Sequence, residues 1–343
     1  MINPINNNKK PVPWVDKYRP AKLSDVVHQD EVIAMLNNTL KTGVLPHTLF
    51  YGPPGTGKTS VILAIAMQLF GPKKYEERVI ELNASDERGI NVVRNKIVSF
   101  AKSLIGSPDP NYPSPPYKII ILDEADAMTT EAQSALRKVI EDYSSITRFC
   151  FICNYINQII QPIISRCVKF RFKPLNKTSM LQKLGYIIKR ERMNLDQDVI
   201  DKIIDISLGD LRKAIMLLQN ICYIEKHSKI TVNDIIEISG NIPPVIIDKI
   251  NNVCILNKSS KCADIAELAK NINLDGYSMS HILWTINTFI INNTLLSDIS
   301  KSKICLHVAK TEKRLVDGAD EYLQLLSILT CIKMLSHDEN LIY

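Results

Sequence analysis

The segment Gly52-Pro53-Pro54-Gly55-Thr56-Gly57-Lys58-Thr59-Ser60 has residue types and spacing that suit one task, gripping a phosphate chain. It fits G-x-x-x-x-G-K-[ST], a pattern whose mechanics are known. Gly52, Gly55 and Gly57 reach backbone angles closed to other residues and carry no Cβ, so successive N–H groups can curl around a phosphate. Pro53, Pro54, Thr56 and Ser60 complete the loop. The following helix turns its positive dipole end toward that phosphate. Lys58 supplies a point charge for the β- and γ-phosphates, and the Thr59 hydroxyl is placed to hold Mg²⁺. A Gly-Pro surface turn is the plain alternative, and the apolar run before the loop and the helical pattern after it weigh against that alternative.

A loop of this kind needs an acidic residue at the end of a neighbouring strand to complete the metal shell. Lys118-Ile119-Ile120-Ile121-Leu122 reads as a strand buried on both faces, and it runs into Asp123-Glu124-Ala125-Asp126. Asp123 is assigned to Mg²⁺, largely through water, and Glu124 to polarising the attacking water. The competing role for carboxylates here is capping the next helix, Met128 to Tyr143, and Asp126 is the candidate for that.

The elements that must position these groups follow from the patterning. His47 to Tyr51, Arg78 to Asn83, Lys118 to Leu122, Arg148 to Asn154 and Val168 to Phe172 read as strands, with helical patterns between them. Alternation of this kind implies an α/β fold with a parallel sheet covered on both faces. In such sheets ligands sit outside the carboxyl ends of the strands, where Gly52, Asp123 and Asn154 all fall. Val168 to Phe172 alternates apolar and basic residues, as an edge strand does. Asn91 to Leu104 has helical spacing, whereas the proline-rich stretch Ser107 to Pro116 reads as a surface insertion.

The N-terminal residues 1–10 read as a disordered tail. Val12 to Pro20 mixes aromatics, prolines and charges in a way unlike a helix or a tail, which predicts an ordered arm pinned to something. Beyond Pro174 the pattern turns helical: Asn176 to Met193, Asp196 to Leu208, Asp210 to Tyr223 and Val232 to Ile238. From about Pro243 a further all-helical unit follows, with Leu283, Ile286, Phe289 and Ile290, then Leu315, Tyr322, Leu326 and Leu329 at helical spacing. The expected division is a tail (1–10), an α/β domain (11–172), a small helical domain (173–240) and a final helical domain (241–343).

At 343 residues the chain can hold two or three full cores. Its 45% hydrophobic and 23% charged content is ordinary for a globular protein, and the net charge of +6 is too mild to demand a nucleic-acid partner. From Arg166 to Arg192, however, the only acid among the many Lys and Arg residues is Glu191. Of eight cysteines only Cys150 and Cys153 are close in sequence, inside an apolar strand pattern, which reads as core packing rather than a metal or redox site. Reduced cysteines suit a cytosolic or nuclear compartment, and neither a signal peptide nor a membrane span is expected.

Taken in order, Trp14 to Pro20, Gly52 to Ser60, Glu81 to Ile90, Leu122 to Asp126, Phe149 to Tyr155, Ser165-Arg166-Cys167 and Gly209 to Ala214 form a specific set. With this set the chain resembles the small ATPase subunits of eukaryotic replication factor C, the sliding-clamp loader of the AAA+ class. The proline-rich insertion is similar to that of the type usually numbered fourth in mammals. The resemblance implies an AAA+ P-loop domain, a helical lid and an oligomerising helical collar, in an ATP- and Mg-dependent nuclear hetero-pentamer. That assembly opens the sliding clamp and closes it around primer-template DNA without reading sequence.

By position, the resemblance implies that Val15 and Arg19 line the adenine and ribose side, Asn154 is the first sensor, and Arg212 is the second sensor, reaching from the lid. Arg166 is implied to act in trans on the neighbouring subunit's ATP, and Arg88 and Arg94 to meet DNA phosphates. The far end of that DNA-facing helix (Ile97, Phe100, Leu104) is where the family meets the clamp; a plain core-facing stripe is the competing reading. Two other functions remain open: a nucleotide-bound structural subunit that does not hydrolyse, and a different AAA+ motor on DNA.

Overall fold

Short runs of β-branched and aromatic residues build a five-stranded parallel sheet with the order β2-β3-β4-β1-β5. A computed structural model describes residues 12–27, 29–85, 93–225 and 230–337. The strands are β1 (Thr48–Tyr51), β2 (Val79–Asn83), β3 (Lys118–Asp123), β4 (Thr147–Cys153) and β5 (Val168–Arg171). Register places Tyr51 beside Cys153 and Asn83 beside Asp123, so the chain leaves these strands along one shared edge. β5 is one of the two edge strands, with Lys169 and Arg171 exposed.

Period-two alternation divides the buried side chains between two cores. On one face Phe50, Ile119, Ile121, Cys150 and Ile152 pack with residues of α2 (Asp30–Thr42) and α3 (Lys58–Arg78). On the other, Leu49, Ile120, Leu122, Phe149, Phe151 and Cys153 meet Leu136, Val139 and Ile140 of α5 (Thr130–Tyr143). Cys150 and Cys153 thus lie on opposite faces of the sheet and cannot share a ligand. Burying a side chain such as Phe50 contributes about 1.5–3 kcal/mol.

Several expectations are corrected. The arm contains one helical turn, α1 (Trp14–Lys17), which is too short to leave a periodic trace in the sequence. Asp126 does not cap α5: Thr129 does, its hydroxyl accepting from the Ala132 N–H at 3.3 Å. The helix expected over Asn91 to Leu104 is, within the described residues, a π-helical turn (Val93–Ile97) followed by α4 (Val98–Lys102). It stops short of Leu104 because Ser103 is extended and the buried Lys118 ammonium takes the carbonyls of Phe100 and Ser103. Residues 107–116 form no helix or strand, but Ser114 and Pro115 are buried, so the segment is more than a surface loop. The ring of Tyr112 fills the kink of α3 at Gly71, where a Cβ would lie 2.3 Å from it. Residues 1–10 lie outside the described residues.

After a short helix, α6 (Gln161–Ile164), and β5, the chain forms α7 (Lys177–Glu191), α8 (Gln197–Ser207) and α9 (Leu211–Glu225). The Asn176 side chain caps α7 by accepting from the Ser179 N–H at 2.8 Å. Contacts divide the chain into two units, residues 1–228 and 229–343. The described residues of the second unit are helical: α10 (Val232–Ile238), α11 (Pro244–Ile250), a π-helical segment (Asn251–Leu256), α12 (Cys262–Leu274), α13 (Met279–Asn292), α14 (Asp298–Val316) and α15 (Glu321–His337). Its core includes Ile250, Cys254, Ile286, Ile290, Ile304 and Leu329, with Phe289, Leu315, Tyr322 and Leu326 packed against it.

Candidate functional site

Between β1 and α3 the chain makes the turn that the glycines require. Gly52 has φ 143°, and a Cβ there would lie 2.2 Å from the Phe172 carbonyl oxygen. A Cβ on Gly55 would lie 1.7 Å from the Asp210 carboxylate, so this position must stay bare for the turn before α9 to sit on the loop. The Leu211 N–H donates to the Gly55 carbonyl at 3.2 Å, fixing that approach.

Lys58 is buried, and its ammonium donates to three neutral oxygens: Gly52 O at 2.7 Å, Pro53 O at 2.9 Å and Asn154 Oδ1 at 2.9 Å. All three of its donors are thereby used. Burial holds its pKa below the ordinary lysine value, opposed by the negative charge of Asp123 and, more weakly, Asp126; Arg212 is close enough to push it down further. A buried cation held only by neutral acceptors is a strong attractor for an anion.

The Thr59 hydroxyl donates to Asp123 Oδ2 at 2.7 Å, and Asp123 Oδ1 accepts from the Glu124 N–H at 2.9 Å. Glu124 sits at φ 52°, ψ 39°, a left-handed conformation unusual for this residue and of the kind that clusters at functional sites. Asp126 accepts the N–H groups of Asn154 at 3.0 Å and Tyr155 at 3.1 Å. It thereby ties the end of β4, and with it the Asn154 amide, to the turn that carries Glu124.

These groups line a cleft of about 330 Å³ within the first unit. Pro54, Gly55, Thr56, Gly57, Lys58, Thr59 and Ser60 form its floor, with Asp123, Glu124 and Asn154 at one side. Val15 and Arg19 come from the arm, and Arg212 from α9. Gly52 and Pro53 do not reach the cleft, because their carbonyls face Lys58 instead. Arg166 is not in the cleft either: its guanidinium pairs with Glu141 at 2.5 Å and donates to the Pro162 carbonyl at 2.7 Å. Arg88 lies outside the described residues. Arg94 belongs to the π-helical turn, and its side chain is likewise outside what is described.

Sequence reasoning missed part of the wall. Tyr18, Pro20, Asp25, Val26 and Val27 line the end of the cleft near the arm, and Lys183, Leu211 and Ile215 come from α7 and α9. Glu81 also lines it; burial and the neighbouring Asp123 raise its pKa, with Arg19 opposing. Period two from Asn83, at the carboxyl end of β2, could have flagged Glu81. The lid residues gave no such signal, since they meet the cleft only through tertiary packing.

The chain matches the model of the ATPase family associated with various cellular activities (AAA) over residues 48–175. It also matches an RCF1/5-like AAA+ ATPase lid domain over 182–223 and the replication factor C C-terminal domain over 242–331. It is 50% identical to replication factor C subunit 4 of Arabidopsis thaliana over 320 residues, covering 92% of this chain and 93% of that one. It is 45% identical to the human replication factor C subunit 4 (95% and 89% covered) and 44% identical to subunit 2 of Saccharomyces cerevisiae (94% and 93% covered). Among solved structures, the RuvB Holliday junction branch migration motor of Thermotoga maritima superposes with a TM-score of 0.52 at 16% identity, covering 75% of this chain and 85% of that one, a likeness of fold alone.

Proposed function

The chain belongs to the replication factor C small-subunit family of AAA ATPases, and from that premise we propose that it is an ATP-hydrolysing subunit of a clamp loader. In this reading it works with other replication factor C subunits in a nuclear hetero-pentamer that opens the sliding clamp and closes it on primer-template DNA. The observation that carries the ATPase reading is the pairing of Thr59 with Asp123 at 2.7 Å beneath a phosphate loop whose lysine also holds Asn154.

The site's donors fit Mg²⁺, which favours hard oxygens and keeps several waters: a hydroxyl (Thr59) and a carboxylate (Asp123) lie side by side, with no sulfur or imidazole lining the cleft among the described residues. Thr59 and Asp123 would hold the ion, and the chemistry it would supply is neutralisation of phosphate charge. Lys58 turns from the loop carbonyls to the phosphate chain, whose negative charge offsets the cost that burial sets on the ammonium. Glu124 takes the proton of the attacking water, Asn154 orients that water, and Arg212 meets the γ-phosphate from the lid. Val15 and Arg19 hold the base and ribose end.

Arg166 acts on the ATP of the neighbouring subunit. Its place outside its own cleft supports that division of labour, and the surface pairing with Glu141 must open before the guanidinium reaches across. Arg88 and Arg94 serve DNA phosphates, so binding is indifferent to sequence and weakens with salt.

Glu124→Gln is the test. ATP affinity is retained while hydrolysis at this site falls about 100-fold or more, the range of a lost general base. Unchanged hydrolysis and clamp loading by the rebuilt complex would remove the catalytic assignment and leave a structural, nucleotide-bound subunit.

A further inference from the structure

The arm is fastened to the lid by hydrogen bonds and ring contacts. The Trp14 N–H donates to Gln219 Oε1 on α9 at 2.9 Å, and Lys17 Nζ meets Glu191 Oε1 on α7 at 2.5 Å. The Tyr18 hydroxyl donates to the same Glu191 oxygen. Rings extend the contact: Tyr18 stands edge-on to Trp14 and to Tyr186 of α7, with centroids 6.2 and 6.3 Å apart. The ammonium of Lys183, which lines the cleft, lies 5.8 Å above the Tyr186 ring.

Glu191 is in an unusual place for a carboxylate. It is the last residue of α7, where the helix dipole disfavours negative charge, and its side chain is mostly buried. Burial pushes its pKa up, yet the hydrogen bonds from Lys17 and Tyr18 and the charge of Lys17 outweigh that and hold it below the usual carboxylate range. The same arm then crosses to α3, where the Leu23 N–H donates to Gln68 Oε1 at 3.2 Å. The lid, for its part, is anchored without the arm, through Leu211 N–H to Gly55 O at 3.2 Å.

We propose that Glu191 is a positioning residue that straps the arm across the base end of the nucleotide cleft, so that Tyr18, Val15 and Arg19 are presented to the nucleoside as a pre-formed wall. The inference rests on the nucleotide reading of the cleft. Glu191 does not itself line the cleft and acts only through Lys17 and Tyr18. The phosphate end is held by separate contacts, so losing the strap costs affinity for the nucleoside half of ATP and leaves the phosphate half untouched.

The test compares two ligands on the full chain by calorimetry, ATP and inorganic tripolyphosphate, for wild type, Glu191→Gln and Tyr18→Phe. Tyr18→Phe keeps the ring contacts and removes only the hydroxyl donor. Tyr18→Phe loses one hydrogen bond to a charged group, and Glu191→Gln keeps an acceptor oxygen but loses the charge that pairs with Lys17; each weakens ATP binding about tenfold, with tripolyphosphate affinity unchanged. Parallel weakening of both ligands would overturn the proposal, because Glu191 would then merely stabilise the lid. Unchanged ATP affinity in both variants would overturn it as well. A wild-type chain that binds neither ligand is a different failure, that of the nucleotide reading itself.

Discussion

Asn154 Oδ1 accepts a hydrogen bond from Lys58 Nζ at 2.9 Å, joining the end of β4 to the phosphate loop. The side chain assigned to orient water is therefore already in register with the lysine assigned to the phosphates. Asn154→Ala lowers turnover about 100-fold, the scale of one lost pre-organised polar contact, while ATP binding changes little. Single-turnover hydrolysis alongside equilibrium binding separates the two effects.

Asp126 supports that geometry from behind through the N–H groups of Asn154 and Tyr155. Asp126→Ala leaves both donors without their charged acceptor and costs about 1–2 kcal/mol in a denaturant titration. Because Asn154 loses its anchor, turnover falls with it. A variant that loses stability yet keeps full turnover would show that Asp126 braces the fold alone.

The α/β core and the gathering of the glycine-lysine loop with Asp123 and Asn154 at one cleft were legible because both leave local signatures: a glycine-lysine spacing, and β-branched runs ending in Asp123 or Asn154. What stayed hidden is non-local. Asp126 reads as a helix cap until β4 comes alongside and its two N–H groups claim the carboxylate, leaving Thr129 to cap α5. The strap depends on Glu191 meeting Lys17 and Tyr18 across 174 and 173 residues, a separation at which no spacing rule operates. Four residues of α1 are likewise too few for a period, so its turn owes its existence to the lid residues it touches.

Arg166→Ala leaves the chain's own ATP affinity unchanged, since the guanidinium stands apart from its own cleft and pairs with Glu141. In the assembled complex the same change lowers hydrolysis at the neighbouring site by about 1,000-fold or more. A reduced ATP affinity in the isolated variant would place Arg166 in cis.

Stability also carries a pH signature from His47, which accepts the Phe149 N–H through Nδ1 at 3.1 Å. Burial, with Arg148 adding, lowers its pKa to about 4 from 6.5. The folded state thus resists the proton that the unfolded chain accepts, and the stability from keeping this ring neutral is complete above about pH 6.5 and lost as pH falls toward 4. Allowing for solvent screening of this half-buried ring, the effect is on the order of 1–2 kcal/mol at its limit. Thermal unfolding from pH 7 to pH 4 reads it, and His47→Gln flattens the slope in that window.

The central claim is that the ATP gripped by Lys58, Thr59 and Asp123 is hydrolysed efficiently only when a neighbouring subunit completes the site. Steady-state ATP turnover by the dilute isolated chain, set against turnover in the assembled complex with clamp and primed DNA, tests this most directly. The account predicts saturable ATP binding with slow turnover in isolation and strong stimulation on assembly, the part due to this site vanishing with Glu124→Gln. Turnover by the dilute chain equal to that of the full assembly would contradict it.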